Sequence, residues 1–303
     1  MNAYIEAARP RTLPAAVAPV LVGTVAAATP VAELRLERAL LALVVALALQ
    51  VAVNYANDYF DGVKGVDTEL RAGPRRAVAT GLIAPAAMRR AIVAALAVAG
   101  VAGLVLTVLV GWELLAVGVA AILATLGYSG GPKPYASAAL GEVMVFVFFG
   151  VVATAGSAYV QDERVVLLPV LASIPMGLFA VALLVVNNLR DIPTDREVGK
   201  VTLAVTLGER GTRRLFTGLL LGAYLALVPI AVAAASPWLL APVVTLPVAG
   251  RAHQVVRRAS TPPALIPALQ ATAQAQIAFA VVLVAALLLA PVDLGGSLGG
   301  GTR

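Results

Sequence analysis

Long apolar stretches alternate along this chain with short segments that carry nearly all of its charge. They run roughly over residues 13–29, 39–58, 89–110, 112–130, 138–158, 165–188, 213–235, 237–252 and 267–290. A bilayer core about 30 Å thick is crossed by about 20 residues of helix. In lipid the backbone must satisfy its own hydrogen bonds, which a helix does internally. The pattern therefore predicts an all-α, multi-span integral membrane helical bundle of about nine transmembrane helices, forming one domain over 1–303. Gly111-Trp112-Glu113 and Ser236-Pro237 read as tight turns between neighbouring spans, and the glycine-rich tail 295–303 reads as disordered.

Composition agrees with a lipid solvent: 60% of the 303 residues are hydrophobic and 13% charged. Cysteine is absent, which excludes disulfides, thiolate metal sites and a cysteine nucleophile. No cleavable signal peptide is apparent, since the first apolar run lacks a small-residue cleavage pattern and more spans follow it. Eighteen of the 22 Lys and Arg fall in alternate loops or at the span edges beside them, and the opposite loops hold only Arg35, Arg38, Arg164 and Arg303. Basic loops stay cytoplasmic, so the N-terminus and the loops after the second and sixth spans are expected on the cytoplasmic face of the inner (plasma) membrane. The net charge of +6 is explained by topology, and no nucleic-acid partner is expected.

Against this apolar background two acidic segments stand out. One reads Asn54-Tyr-Ala-Asn57-Asp58-Tyr-Phe-Asp61, the other Asn187-Asn188-Leu-Arg190-Asp191-Ile-Pro-Thr-Asp195. An offset of 133 residues superposes Asn54 and Asp58 on Asn187 and Asp191. It suggests a repeat of four-helix units, about 10–130 and 138–252, with a final span at 267–290. Parallel repeats often place a site at their shared interface. Ionisable groups near membrane depth are costly and usually functional. Carboxylates spaced i, i+3 (Asp58, Asp61) or i, i+4 (Asp191, Asp195) share one helix face, with Asn54 and Asn187 a turn deeper. Pro193 predicts that the second helix ends or bends near Ile192. Oxygen ligands of this kind suit Mg2+, which retains water or phosphate in its shell, and the metal would offset the repulsion between carboxylates and a diphosphate. Lys64, Arg71, Arg75 and Arg76 follow the first motif, and Arg190, Arg196 and Lys200 surround the second; they are candidate phosphate ligands or topogenic charges.

These residues resemble the UbiA superfamily of intramembrane prenyltransferases, and within it the 1,4-dihydroxy-2-naphthoate polyprenyltransferases (the MenA family). The stretches that carry the resemblance are Ala8-Arg9-Pro10-Arg11-Thr12-Leu13-Pro14, Asp61-Gly-Val-Lys64-Gly65-Val-Asp67-Thr68 with Arg71-Ala-Gly73-Pro74-Arg75, and Asp195-Arg-Glu-Val-Gly199-Lys200-Val-Thr202-Leu203-Ala204. The resemblance implies a UbiA-type fold and Mg2+ held by Asp58, Asp61, Asp191 and Asp195, with Asn54 and Asn187 as ligands or orienting groups. It implies transfer of the prenyl group from a polyprenyl diphosphate to an aromatic acid acceptor, dihydroxynaphthoate, which loses carbon dioxide to give demethylmenaquinol in menaquinone biosynthesis. Asn54, Lys64, Arg71, Tyr128, Lys133, Asn187, Arg190 and Lys200 are the expected substrate contacts. In many superfamily members a Tyr-x-x-x-Lys element follows the fourth span; here Tyr128 and Lys133 have four residues between them. Other branches of the superfamily, with a 4-hydroxybenzoate or tetrapyrrole acceptor, and a cation-coupled transporter are the alternative readings.

The remaining polar residues have plainer readings. His253 reads as interfacial, Glu142 as a helix N-terminal charge, and Tyr55, Tyr59 and Phe60 as interfacial aromatics. Gln270, Gln274 and Gln276 are expected to join helices.

Overall fold

The computed structural model describes residues 2–27, 33–63 and 76–289. After a five-residue helix α1 (Ala3–Ala7) and a 3₁₀ turn over Pro10–Thr12, the described residues form nine apolar helical segments. These are α2 (Pro14–Val25), α3 (Leu36–Val63), α4 (Pro85–Leu109), α5 (Glu113–Gly127), α6 (Gly141–Asp162), α7 (Leu167–Glu197), α8 (Leu203–Ala233), α9 (Pro237–Arg258) and α10 (Pro262–Leu289). Seven are long and apolar enough to cross a membrane; α2 and α5 are shorter. Length thus establishes seven candidate spans and leaves the expected nine unconfirmed. Among the described residues no strand forms, and one parallel bridge joins Ala138 to Val201.

The central helix is α7. In its apolar window 72% of residues are buried, against 28% in α3 or α4, so the bundle packs around it. Phe179 of α7, Tyr224 of α8 and Phe279 of α10 meet edge-on or tilted, with centroids 5.2–6.2 Å apart. Large apolar side chains elsewhere point outward, Val93, Val108, Val232 and Leu289 among them, as lipid-facing positions should. Thr107, Thr125, Ser157 and Thr272 donate their hydroxyls to carbonyls four residues back, so these polar groups are satisfied inside their own helices. Gln276 differs: it is fully buried and neither end of its amide has a hydrogen-bond partner, contrary to the expectation that it ties helices together.

Two features set the shape of the interior. Within α6, Phe146–Val152 is a π-helix, wider than the α-helix on either side. There Gly150 meets Gly177 of α7; a Cβ on Gly150 would lie 2.6 Å from the Gly177 Cα. At the end away from the aspartates, Arg38 of α3 donates to the C-terminal carbonyls of α4 (Leu109 O, 2.8 Å) and α6 (Val160 O, 2.8 Å) and pairs with Glu163 at 2.8 Å. One guanidinium thereby satisfies orphan carbonyls of two helices.

The structure corrects two boundaries. α7 does not end near Ile192 but runs through Pro193 to Glu197. Proline removes a single donor, which bundled helices accommodate, and Thr194 Oγ1 satisfies the Asp191 carbonyl at 3.0 Å. α8 starts at Leu203, ten residues before the expected 213, with a break at Gly208 (φ 67°, ψ 173°), a backbone conformation that glycine supplies.

Candidate active site

Both acidic motifs lie at the same end of the bundle, on the last turns of α3 and α7. A 31-residue helix is about 46 Å long, longer than the bilayer core, so α7 carries Asp191 and Asp195 to the membrane boundary. Gly199, at φ 68°, then reverses the chain: its N–H reaches Arg196 O, and Lys200 N–H donates to Asp195 O at 2.8 Å. This is a glycine helix stop, and it folds Lys200 back over the last turn. The Lys200 ammonium lies 3.9 Å from Asp195 Oδ1 and 3.9 Å from Asp61 Oδ2, so one cation stands between the motifs.

Each carboxylate has its own partners. Asp58 accepts from the backbone N–H groups of Ala77 (3.0 Å) and Val78 (2.9 Å), and so pins the turn that follows α3. That turn carries Arg76, which donates to Asp61 Oδ2 (2.9 Å) and Asn57 Oδ1 (3.1 Å). Arg190, buried, grips Asp191 with two bonds of 2.7 and 2.8 Å. Asn54 donates to Ala8 O (2.9 Å) and Thr12 Oγ1 (3.1 Å), and Gln50 also donates to Thr12 (3.0 Å), which seats the N-terminal segment on α3. In that segment Arg9 holds φ 53° directly before Pro10, a strained backbone beside the site.

A cavity of about 280 Å³ opens between these elements. Asn54, Asn57, Asn187, Asn188, Asp191, Asp195 and Lys200 line one end, with Arg9 and Arg76. Apolar side chains of α3, α4, α5 and α6 line the rest, Leu49, Leu106, Val117 and Phe149 among them. The π-helical segment contributes Phe148, Phe149 and Val152. Tyr128 and Tyr135 cap one wall, edge-on at 5.4 Å, and the Tyr135 hydroxyl donates to Ala124 O (2.7 Å), while burial pushes its phenol above the usual range. Behind this wall Asn188 donates to buried Glu142 at 3.0 Å. The void is thus charged at one end and apolar along its length, the profile of a site for an anion that carries a hydrocarbon tail.

Of the residues expected from the sequence, Asn54, Tyr128, Asn187, Asp191, Asp195 and Lys200 line this cavity, and Asp61 and Arg190 stand directly behind it. Asp58 faces the following turn instead, and Lys133 is exposed in the loop after α5, outside the cavity lining. Lys64 and Arg71, like Arg75 and the 295–303 tail, lie outside the described residues. Sequence reasoning missed Asn57, Asn188 and Arg9. Asn57 lies four residues before Asp61, and Asn188 three before Asp191, so helical spacing alone marked both as neighbours of the site.

A hard-cation site is a question of donors. The oxygens of Asp61, Asp191 and Asp195 and the amides of Asn57 and Asn187 are the ligand types that magnesium takes. No three acidic side chains converge in a ready metal cluster among the described residues. Lys200 occupies the position between Asp61 and Asp195, so the site stabilises positive charge there, and the donor set fits a divalent cation in chemistry.

A bundle of membrane-crossing helices with two asparagine–aspartate motifs at one end of an apolar cavity has the layout of an intramembrane enzyme. The chain belongs to the UbiA prenyltransferase family, whose model matches residues 16–267, and it is a prenyltransferase of that type. It is 44% identical over 284 residues to the 1,4-dihydroxy-2-naphthoate octaprenyltransferase of Mycobacterium tuberculosis, covering 94% of this chain and 96% of that protein. The fold matches the apo structure of a UbiA homolog from Aeropyrum pernix K1 (TM-score 0.70, 17% identity, 90% of this chain and 97% of that one). It also matches a UbiA homolog from Archaeoglobus fulgidus bound to DMAPP and Mg2+ (TM-score 0.62, 16% identity, 94% and 99%).

Proposed function

We propose that this protein transfers a polyprenyl group from its diphosphate to 1,4-dihydroxy-2-naphthoate, with decarboxylation, in menaquinone biosynthesis, and that it depends on Mg2+. The observation that carries the reading is the meeting of the two motifs at Lys200, at the polar end of an apolar cavity. The acceptor rests on the relative from Mycobacterium tuberculosis, matched over nearly its whole length, and the metal on the donor set and on the Mg2+-bound homolog from Archaeoglobus fulgidus.

In this scheme Asp61, Asp191 and Asp195 hold magnesium, with Asn57, Asn54 and Asn187 as amide ligands or orienting groups. When bound, the ion neutralises the diphosphate and so eases its departure as a leaving group. Lys200, Arg76 and Arg9 take phosphate oxygens, Lys64 and Arg71 are further candidates, and Arg190 holds the Asp191 carboxylate in place. Asp58 positions Arg76 by fixing the Ala77–Val78 backbone. The prenyl chain lies along the apolar wall, and Phe148, Phe149 and Tyr128 face the developing allylic cation, which the dry cavity protects from water. The acidic acceptor approaches the cationic end. Lys133 remains a candidate contact only through movement of its loop.

Two wider readings go with this. Basic residues cluster at the site end, which supports a plasma-membrane protein with its site on the cytoplasmic side. A four-helix repeat is supported by packing: α3 packs most extensively on α4, and α7, one repeat later, on α8.

The test is prenylation by purified protein in nanodiscs, with radiolabelled polyprenyl diphosphate, either acceptor (1,4-dihydroxy-2-naphthoate or 4-hydroxybenzoate), and magnesium or EDTA. Magnesium-dependent product with carbon dioxide release from the naphthoate alone is expected. Product from the benzoate alone would transfer the protein to another branch of the family.

A further inference from the structure

Outside the cavity, the polar ends of α8 and α9 enclose a groove of about 400 Å³. Arg210, Arg213, Arg214, His253 and Arg257 line it, with Glu209 the one acidic side chain in its walls. α8 begins just after Lys200, so the groove lies at the active-site end of the bundle.

The cations have different tasks. Arg213 is spent on structure: its guanidinium donates to Val256 O and Ala259 O, and it pairs with Glu209 at 3.6 Å. Those carbonyls form the C-terminus of α9, where the helix dipole would repel an anion, and Arg213 masks them. Glu209 is in turn offset by Arg213. Arg210, Arg214 and Arg257 are exposed and pair with no carboxylate among the described residues, so their charge is available to a ligand.

The groove also lies where an amphiphile would need it. Below Arg214 the exposed face of α8 continues, seven residues on, to Leu221, and below His253 that of α9 continues, seven residues back, to Leu246. Residues seven apart lie on one helix face. A ligand held at the arginines therefore has apolar, lipid-facing surface directly beneath it on both helices. Charges that only fix topology need to be on the correct side of the membrane; they need not converge from two helices on one concavity.

We propose that this groove binds the phosphate of an anionic phospholipid headgroup, with Arg210, Arg214 and Arg257 as its donors and the acyl chains along α8 and α9. Basic pockets between membrane helices on one face recognise such headgroups. The site is separate from the prenyl-transfer cavity and does not depend on that reaction.

The experiment is native mass spectrometry of the full-length protein titrated with dioleoylphosphatidylglycerol or dioleoylphosphatidylcholine, with and without inorganic phosphate as competitor. Wild type should prefer phosphatidylglycerol. The Arg210→Gln/Arg214→Gln/Arg257→Gln variant should bind it on the order of 100-fold more weakly, about fivefold per arginine. Arg257→Gln alone, at an exposed position, should show the fivefold step even if the triple variant proves unstable. Arg89→Gln/Arg90→Gln removes two exposed charges at the start of α4 and should change the affinity by less than about twofold. Equal binding of the two lipids, an undiminished affinity in Arg257→Gln, or an equal loss in the α4 variant would overturn the proposal. Displacement by phosphate without lipid discrimination would assign the groove to a soluble anion instead.

Discussion

Asp61 and Asp195, 134 positions apart in the chain, face the same ammonium: Lys200 Nζ lies 3.9 Å from an oxygen of each. A cation shared by two carboxylates on different helices ties the two motifs together at the polar end of the cavity. Lys200→Met keeps the aliphatic stem and removes the charge. A lost charge-assisted hydrogen bond costs about 1.5–3 kcal/mol, so kcat/KM for the prenyl diphosphate should fall roughly 10- to 150-fold at saturating magnesium. Steady-state kinetics in nanodiscs checks this; a wild-type value would remove Lys200 from the substrate site.

Arg190 and Asp191 are sequence neighbours in α7 and form a buried two-bond pair. Removing one partner of such a pair leaves an uncompensated charge and costs on the order of 3 kcal/mol, whereas replacing both costs much less. Arg190→Gln should therefore lower the thermal midpoint clearly, and Arg190→Gln/Asp191→Asn should restore most of it. Activity should stay lost in the double variant, because Asp191 lines the cavity. A double variant that regains turnover would make the pair purely structural.

The fold was legible because lipid imposes one rule: each apolar run must be a helix, and among the described residues each run named from the sequence holds a helical segment, seven of them long enough to cross a membrane. Boundaries were legible only where the pattern changed. α7 and α3 continue as helices through their polar last turns, so apolar length understated them. The π-helix of α6 was not legible, since it depends on how closely Gly150 and Gly177 pack, which is a property of two helices. In the site, motif spacing singled out Asn54, Asn187, Asp191 and Asp195, and all four line the cavity. It also equated Asp58 with Asp191, and here local structure differs: α3 is followed by a turn whose backbone N–H groups lie beside Asp58, while Asp191 has an arginine next to it in its own helix. Sequence spacing carries which face a side chain occupies but not which backbone will fold over it.

Asp58 and Asp61 also differ, the first bonded to backbone N–H groups and the second to Arg76, and that difference can be tested. Asp58→Asn offers one acceptor oxygen where two N–H groups need one each, and places an amide donor against the other. The amides of Ala77 and Val78 should then exchange with solvent faster, by roughly 10-fold or more for a lost hydrogen bond of about 1.5 kcal/mol. Asp61→Asn should leave those amides protected yet weaken magnesium-dependent turnover. Hydrogen exchange by mass spectrometry over 76–84 decides it. The opposite pattern would return Asp58 to the ligand set and relieve Asp61 of it.

At the far end of the bundle, Arg38 holds the Glu163 carboxyl below its ordinary range through a hydrogen bond and its charge. A carboxyl with a depressed folded pKa adds stability above its unfolded value, near about 4.3, and that stability is lost as pH falls through the folded value. Thermal midpoints of wild type and Glu163→Gln should accordingly differ at neutral pH and converge in acid. Because Glu163 is solvent-exposed, the difference should be small and should shrink with added salt. A gap between the two proteins that widens on acidification would contradict the pairing.

The interior shape depends on a contact that has no room for a methyl group. A Cβ on Gly150 would lie 2.6 Å from Gly177 Cα and 3.1 Å from its nitrogen, so α6 and α7 must separate to admit it. Backbone cannot yield as a flexible side chain does, and overpacking of this kind costs about 1–3 kcal/mol. Gly150→Ala should lower the thermal midpoint. It should also raise KM for the prenyl donor, because the same π-helical turn presents Phe148 and Phe149 to the cavity. Gly100 of α4 is the matched control: a Cβ there meets nothing within 4 Å. Gly100→Ala should leave both quantities unchanged, or raise stability slightly through helix propensity. If the two alanines behave alike, close approach of α6 and α7 does not set the cavity.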